Sequence, residues 1–88
     1  MRTIEIDITN IQTVKALHIY LAWKLDMPAH YGKNLDALYD VLGECGAEMN
    51  ILLRGEAAGA EMAAYLPRLE SVLSDCADEG MIGGFARK

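Results

Sequence analysis

The sequence predicts a small α/β domain with a parallel sheet, and three observations carry that reading. Thr3-Ile4-Glu5-Ile6-Asp7-Ile8 alternates apolar and polar residues in strict period two, which is a strand with one better-buried face. Apolar residues then recur at helical spacing over two successive stretches. Met49-Asn50-Ile51-Leu52-Leu53-Arg54 follows as a nearly continuous apolar run, with further helical pattern behind it. Strands that alternate with helices in this way imply parallel strands joined by right-handed crossovers. Eighty-eight residues make a single domain, 1–88, with room for one modest core.

The first helix is predicted to begin after Thr13, whose hydroxyl can cap it, and to end before Pro28. Val14, Leu17, His18, Leu21 and Leu25 form its apolar stripe. His18 lies in the middle of that stripe. A metal or catalytic histidine is conceivable there, but a buried neutral imidazole with one backbone or hydroxyl partner is the expected state. Tyr20 and Trp23 lie off the centre of the stripe, where they either cover a flank of the core or stand exposed. Glu5 and Asp7 mark a partly open sheet face rather than an acid pair for catalysis.

The second helix begins within His30-Tyr31-Gly32-Lys33-Asn34-Leu35-Asp36-Ala37-Leu38-Tyr39-Asp40 and is expected to stop near Gly43. Asn34 is its N-cap candidate. Leu35, Leu38 and Leu42 line the core face; Asp36, Asp40 and Gly43 share an outward face, with Tyr39 on the boundary. Asp36 complements the helix dipole, but Asp40 repels it at i,i+4 by about 0.2–0.5 kcal/mol. Glu44 and Glu48 continue the strip, and no Lys or Arg occurs between Lys33 and Arg54. Such a strip is either an idle solvated surface or a surface awaiting a cationic partner.

Beyond it, the apolar run at Met49 to Arg54 reads as a middle strand buried on both faces. Glu56 to Tyr65 reads as a helix, broken at Leu66 because Pro67 follows, with a new helix starting at Pro67. Leu69, Val72, Leu73 and Cys76 are the buried stripe of that last helix. Asp75, Asp78 and Glu79 close it against the dipole before Gly80, a suitable C′ residue, in a second patch free of bases. Met81 to Ala86 is a short closing strand weakened by Gly83 and Gly84.

The stretch from Leu25 to Asp40, with its core Tyr31-Gly32-Lys33-Asn34-Leu35-Asp36-Ala37-Leu38-Tyr39-Asp40, resembles the signature of the barstar family. Members of that family are intracellular inhibitors of small secreted bacterial ribonucleases. The similarity extends more loosely along nearly the whole chain, in length, order of elements, the histidine of the first helix, and Glu79-Gly80 before the last strand. The resemblance implies a three-stranded parallel sheet in the order 1-2-3, packed with helices, and an exposed second helix and preceding loop as the binding edge.

It also implies a mechanism: a carboxylate-bearing helix enters a phosphate-binding pocket and pairs with its cations, so inhibition is occlusion without chemistry. Asp40 matches the family's central aspartate and Asp36 the second acid of the strip. Asn34 and Gly32 match the contact loop, and Gly43 the far end of the helix. Asp75 takes the place of a family glutamate. His30 stands where the family has tyrosine, Tyr39 where it has tryptophan, and Cys45 where it has a second tryptophan. Aromatic anchors are typical hot spots, so these departures predict weaker binding to the classical enzyme or a different partner. Lys33 adds a positive charge facing a basic enzyme. His30 is either a solvated loop residue or a contact that loses affinity on protonation.

The composition agrees with a protein partner. Thirteen acids against eight bases give a net charge of −5, which argues against a nucleic-acid or membrane binder and for a basic protein. An acidic immunity or binding module for some other basic toxin is the alternative. An enzyme using Asp36, Asp40, His30 or Cys45 is disfavoured because no nucleophile, base and orienter share a recognisable spacing. No cofactor or metal is expected: Asp36 and Asp40 alone fall short of an oxygen cage, and Cys45 and Cys76 match no zinc or redox spacing. Met1-Arg2-Thr3-Ile4-Glu5 does not start a signal peptide and no apolar run of about twenty residues exists, so the cytoplasm is the expected location. The free protein is expected to be a monomer that forms a 1:1 complex.

Overall fold

The computed structural model describes residues 2–88. Its elements are β1 (Arg2–Asp7), α1 (Val14–Lys24), α2 (Leu35–Cys45), β2 (Met49–Arg54), α3 (Ala60–Asp78) and β3 (Gly84–Arg87). The three strands form one parallel sheet in the order β1-β2-β3. The α/β class and the strand order are therefore as the sequence and the resemblance implied.

Register shows how the core is made. Ile4 pairs with Ile51 and Ile6 with Leu53, while Ile51 also faces Phe85. In parallel pairing these residues share one sheet face, and Leu17, Leu21, Leu25, Leu35, Leu38, Leu42, Leu69 and Leu73 cover it from the helices. The opposite face carries Thr3, Glu5 and Asp7, all exposed, beside half-buried Asn50 and Leu52. β2 is thus the central strand but is buried on one face only, because all three helices lie against the face that carries Met49, Ile51 and Leu53. The run of apolar residues reflects a half-covered Leu52 rather than a second helical layer. On the open face the Arg54 guanidinium donates to Glu5 at 3.0 Å.

Helix starts follow their caps. Thr13 Oγ1 accepts from the Ala16 amide at 3.1 Å, as its position predicted. Tyr20 is half-buried and its hydroxyl accepts the Asp7 amide of β1, whereas Trp23 is 74% exposed. α2 runs two residues past Gly43, to Cys45, with Gly46 as the C-cap. A Cβ on Gly46 would lie 2.7 Å from Leu42 O and 2.8 Å from both Ile82 Cγ2 and Met81 O. Close approach of the segment after α3, not a left-handed backbone, is what requires glycine there.

The largest departure from the expected elements is α3. One helix spans Ala60–Asp78 with Pro67 inside it, where a break at Leu66 and two helices were expected. Pro67 removes the amide that would bond Ala63, a local cost of about 3 kcal/mol. Ala63 is exposed, so water can solvate its carbonyl. Met62, Leu69, Leu73 and Cys76 are all buried and continue one helical stripe across the proline. Packing of that stripe outweighs the local preference.

Candidate functional site

The site is built on α2 because its start is fixed by its own residues. Asn34 adopts an extended backbone and its Oδ1 accepts from the Ala37 amide at 2.8 Å, while its Nδ2 reaches Gly32 O at 3.4 Å. Asn34 therefore ties the preceding loop to the helix. Lys33 sits at φ 58, a left-handed conformation that a lysine adopts at a cost of about 1 kcal/mol. Lys33→Asn is accordingly expected to raise stability by about 0.5–1 kcal/mol, read as a rise of several degrees in a thermal melt. An unchanged or lowered melting temperature would show that Lys33 is held by something other than backbone need.

Leu35, Leu38, Val41 and Leu42 bury the inner face of α2. Asp36 and Asp40 are exposed, and neither carboxylate makes a hydrogen bond or ion pair with another described residue. The fold does bring a cation to the neighbourhood of Asp36 that sequence proximity did not show. Arg68 of α3 lines an open cleft of about 400 Å³ together with Leu35, Asp36, Pro67, Ser71 and Val72, and its guanidinium lies 5.5 Å from the Tyr65 ring centroid. No ion pair joins Arg68 to Asp36.

His30 Nε2 lies 3.8 Å from Glu44 Oε2, so the loop before α2 runs back along the acidic strip. Both side chains are well exposed, which makes the pair weak by solvent screening. On the far side, the Tyr39 hydroxyl donates to Glu79 Oε2, joining α2 to the end of α3. That bond, burial and the nearby Asp75 and Glu79 carboxylates push the Tyr39 phenol up to about 12. Gly43 faces Met81, whose Cε would lie 2.9 Å from an added Cβ. Cys45 is a free thiol whose Sγ donates to Val41 O at 3.2 Å.

Of the residues predicted for the site, all but Cys45 fall into two groups. Gly32, His30, Asn34, Asp36 and Asp40 lie on the loop and α2, while Tyr39 and Gly43 meet the α3 end that carries Asp75. From sequence Glu79 is a helix-terminal acid and part of the Glu79-Gly80 pair before the last strand, and the structure places it on Tyr39. No local pattern marks that contact, which spans 40 positions. Among the described residues no three His, Cys, Asp or Glu side chains converge to hold a metal ion, and no helix is long and apolar enough to cross a membrane.

Beneath the loop, fully buried His18 is contacted at both ring nitrogens. Tyr31 Oη lies 2.5 Å from Nδ1, and Tyr65 Oη lies 2.7 Å from Nε2. The sequence led us to expect one hydroxyl or backbone partner; the fold supplies two hydroxyls. They secure Tyr31, and with it the loop, to α1 and α3.

A family model described as "Barstar (barnase inhibitor)" matches residues 1–84. The chain belongs to the barstar family. It is also 33% identical over 81 residues to a Bacillus subtilis (strain 168) protein named "Putative ribonuclease inhibitor YrdF", covering 90% of this chain and 89% of that one. The loop and α2, which carry the acidic strip, lie within the part that the family model matches.

Proposed function

We propose that this barstar-family chain is an intracellular inhibitor of a small basic bacterial ribonuclease. It acts by placing Asp36 and Asp40 among the cations that hold RNA phosphates. The observation that carries this reading is a capped, firmly packed helix that presents two carboxylates without partners of their own. Carboxylates held on a rigid element lose little entropy on docking, and a converging set of Arg, Lys and His is the surface that would pair with them. Asn34 and Gly32 shape the contact loop, His30, Tyr39, Gly43 and Cys45 flank the strip, and Asp75 extends the acid surface onto α3. Inhibition is occlusion, in a 1:1 complex of a cytoplasmic monomer, with no cofactor, chemistry or contact to nucleic acid. The relative's printed name supports the same class of partner.

The flanking residues favour a cognate enzyme other than barnase. A histidine, a tyrosine already bonded to Glu79, and a thiol bonded within its own helix offer less aromatic area than the family pattern. The same departures would suit an acidic immunity module for a basic toxin of another kind.

The test is RNA cleavage by barnase and by a panel of small basic microbial ribonucleases, with the chain titrated in at low and high salt. One panel member is expected to be inhibited stoichiometrically, with affinity falling as salt rises because exposed charges steer and hold the complex. Folded protein that inhibits no member would overturn the reading. Nanomolar or tighter inhibition of barnase itself would remove the case for a different partner.

A further inference from the structure

Beside the buried packing of α2 on α3, one polar contact and one close apolar contact join the outer edge of α2 to the end of α3 and the segment after it. Tyr39 leaves α2 from the boundary between its buried and exposed faces, and its hydroxyl donates to Glu79. Glu79 is the C-cap of α3, its own amide bonded to Asp75 O at 2.9 Å, so the accepting carboxylate is carried by a helix end. Met81, just beyond, closes on Gly43 one helical turn along from Tyr39. An aromatic ring on an exposed strip would otherwise sample several rotamers and lose that freedom on meeting a partner. Glu79 spends one oxygen on removing that freedom in advance.

We propose that Glu79 is a positioning residue of the inhibitory face: it holds the Tyr39 ring across the α2–α3 seam before any partner arrives. The ring and the carboxylates of Asp40 and Asp75 then meet a basic enzyme as one preformed surface. The proposal deepens the inhibitor reading and rests on it for its consequence in binding, though not for the positioning itself.

Four variants test it: Glu79→Ala, Glu79→Gln, Tyr39→Phe and the double variant Tyr39→Phe/Glu79→Ala. In the free protein, NMR of the Tyr39 ring protons reads its titration. The phenol is expected to ionise near 12 in the native chain and to move toward 10 in Glu79→Ala. With barnase as the binding probe, Glu79→Ala is expected to lose affinity by roughly threefold to tenfold, the range typical of coupled neighbours. Glu79→Gln keeps most of the affinity, because its amide oxygen still accepts the hydroxyl. In the Tyr39→Phe background, Glu79→Ala adds nothing further.

Equal losses from Glu79→Ala in both backgrounds would make Glu79 a direct charge contact and overturn the proposal. So would a Tyr39 titration that Glu79→Ala leaves unchanged. Should native protein show no affinity for barnase, the failure belongs to that choice of partner. The titration and ring mobility in the free protein then decide whether Glu79 holds Tyr39.

Discussion

Asp40→Ala is expected to weaken the complex with the inhibited ribonuclease by about 2–5 kcal/mol, roughly 30- to 5,000-fold in Kd. Truncation would leave a cation of the enzyme buried in the interface without its counter-charge. The fold should not notice. Asp40 is exposed on the outer face of α2, and Leu35, Leu38, Val41 and Leu42 secure the helix without it. Removing its charge also relieves repulsion with Asp36 and Glu44, one turn either side, by about 0.2–0.5 kcal/mol for each pair. Calorimetric titration and thermal melts measured together separate the two effects. Lost affinity with an unchanged or slightly raised melting temperature is the expected pair of results. Affinity within threefold of native would remove Asp40 from the centre of the interface. Asp36→Ala should cost less, because Asp36 shares a cleft with a cation of its own chain, Arg68, whereas Asp40 does not line that cleft.

What the sequence made legible divides along the line between local and long-range physics. β1 announced itself through the alternation of Ile4, Ile6 and Ile8, and both Thr13 and Asn34 proved to be the caps that their chemistry suggests. These depend on a few neighbouring residues. Pro67 does not break α3 because the helix-breaking rule is local, while the stripe from Met62 to Cys76 is stabilised by packing on the sheet and α2. β2 is covered on one face rather than two for the converse reason: hydrophobicity alone does not say which face receives the helices. In the candidate site, Asp36 and Asp40 could be placed on one face from spacing alone. The Tyr39–Glu79 bond, the His30–Glu44 approach and the Arg68 cleft join separate elements, and no spacing encodes them.

Stability is expected to fall as pH drops below about 6.5, and His18 is the reason. Burial lowers the tendency of its imidazole to take a proton in the folded chain. A neutral imidazole donates from one nitrogen and accepts at the other, which suits one hydroxyl as acceptor and one as donor. Protonation would make both nitrogens donors, so both Tyr31 and Tyr65 would have to accept, and one hydroxyl proton would lose its partner. No carboxylate is paired with the ring to repay that change.

The unfolded chain, with an ordinary histidine near 6.5, therefore binds more protons than the folded one just below that pH. Stability is complete above 6.5 and is lost as pH falls toward the lower folded value, by at most about 1.4 kcal/mol per pH unit. Denaturant unfolding between pH 5 and 7.5 measures it, in a His30→Gln background that leaves His18 as the remaining histidine. His18→Leu should flatten that slope and cost about 1–3 kcal/mol at pH 7.5, since the buried Tyr31 hydroxyl loses its partner. Tyr31 belongs to the loop that leads into α2, so the same pH range should loosen the attachment of the inhibitory edge. A slope that survives His18→Leu would place the titrating group elsewhere in the fold.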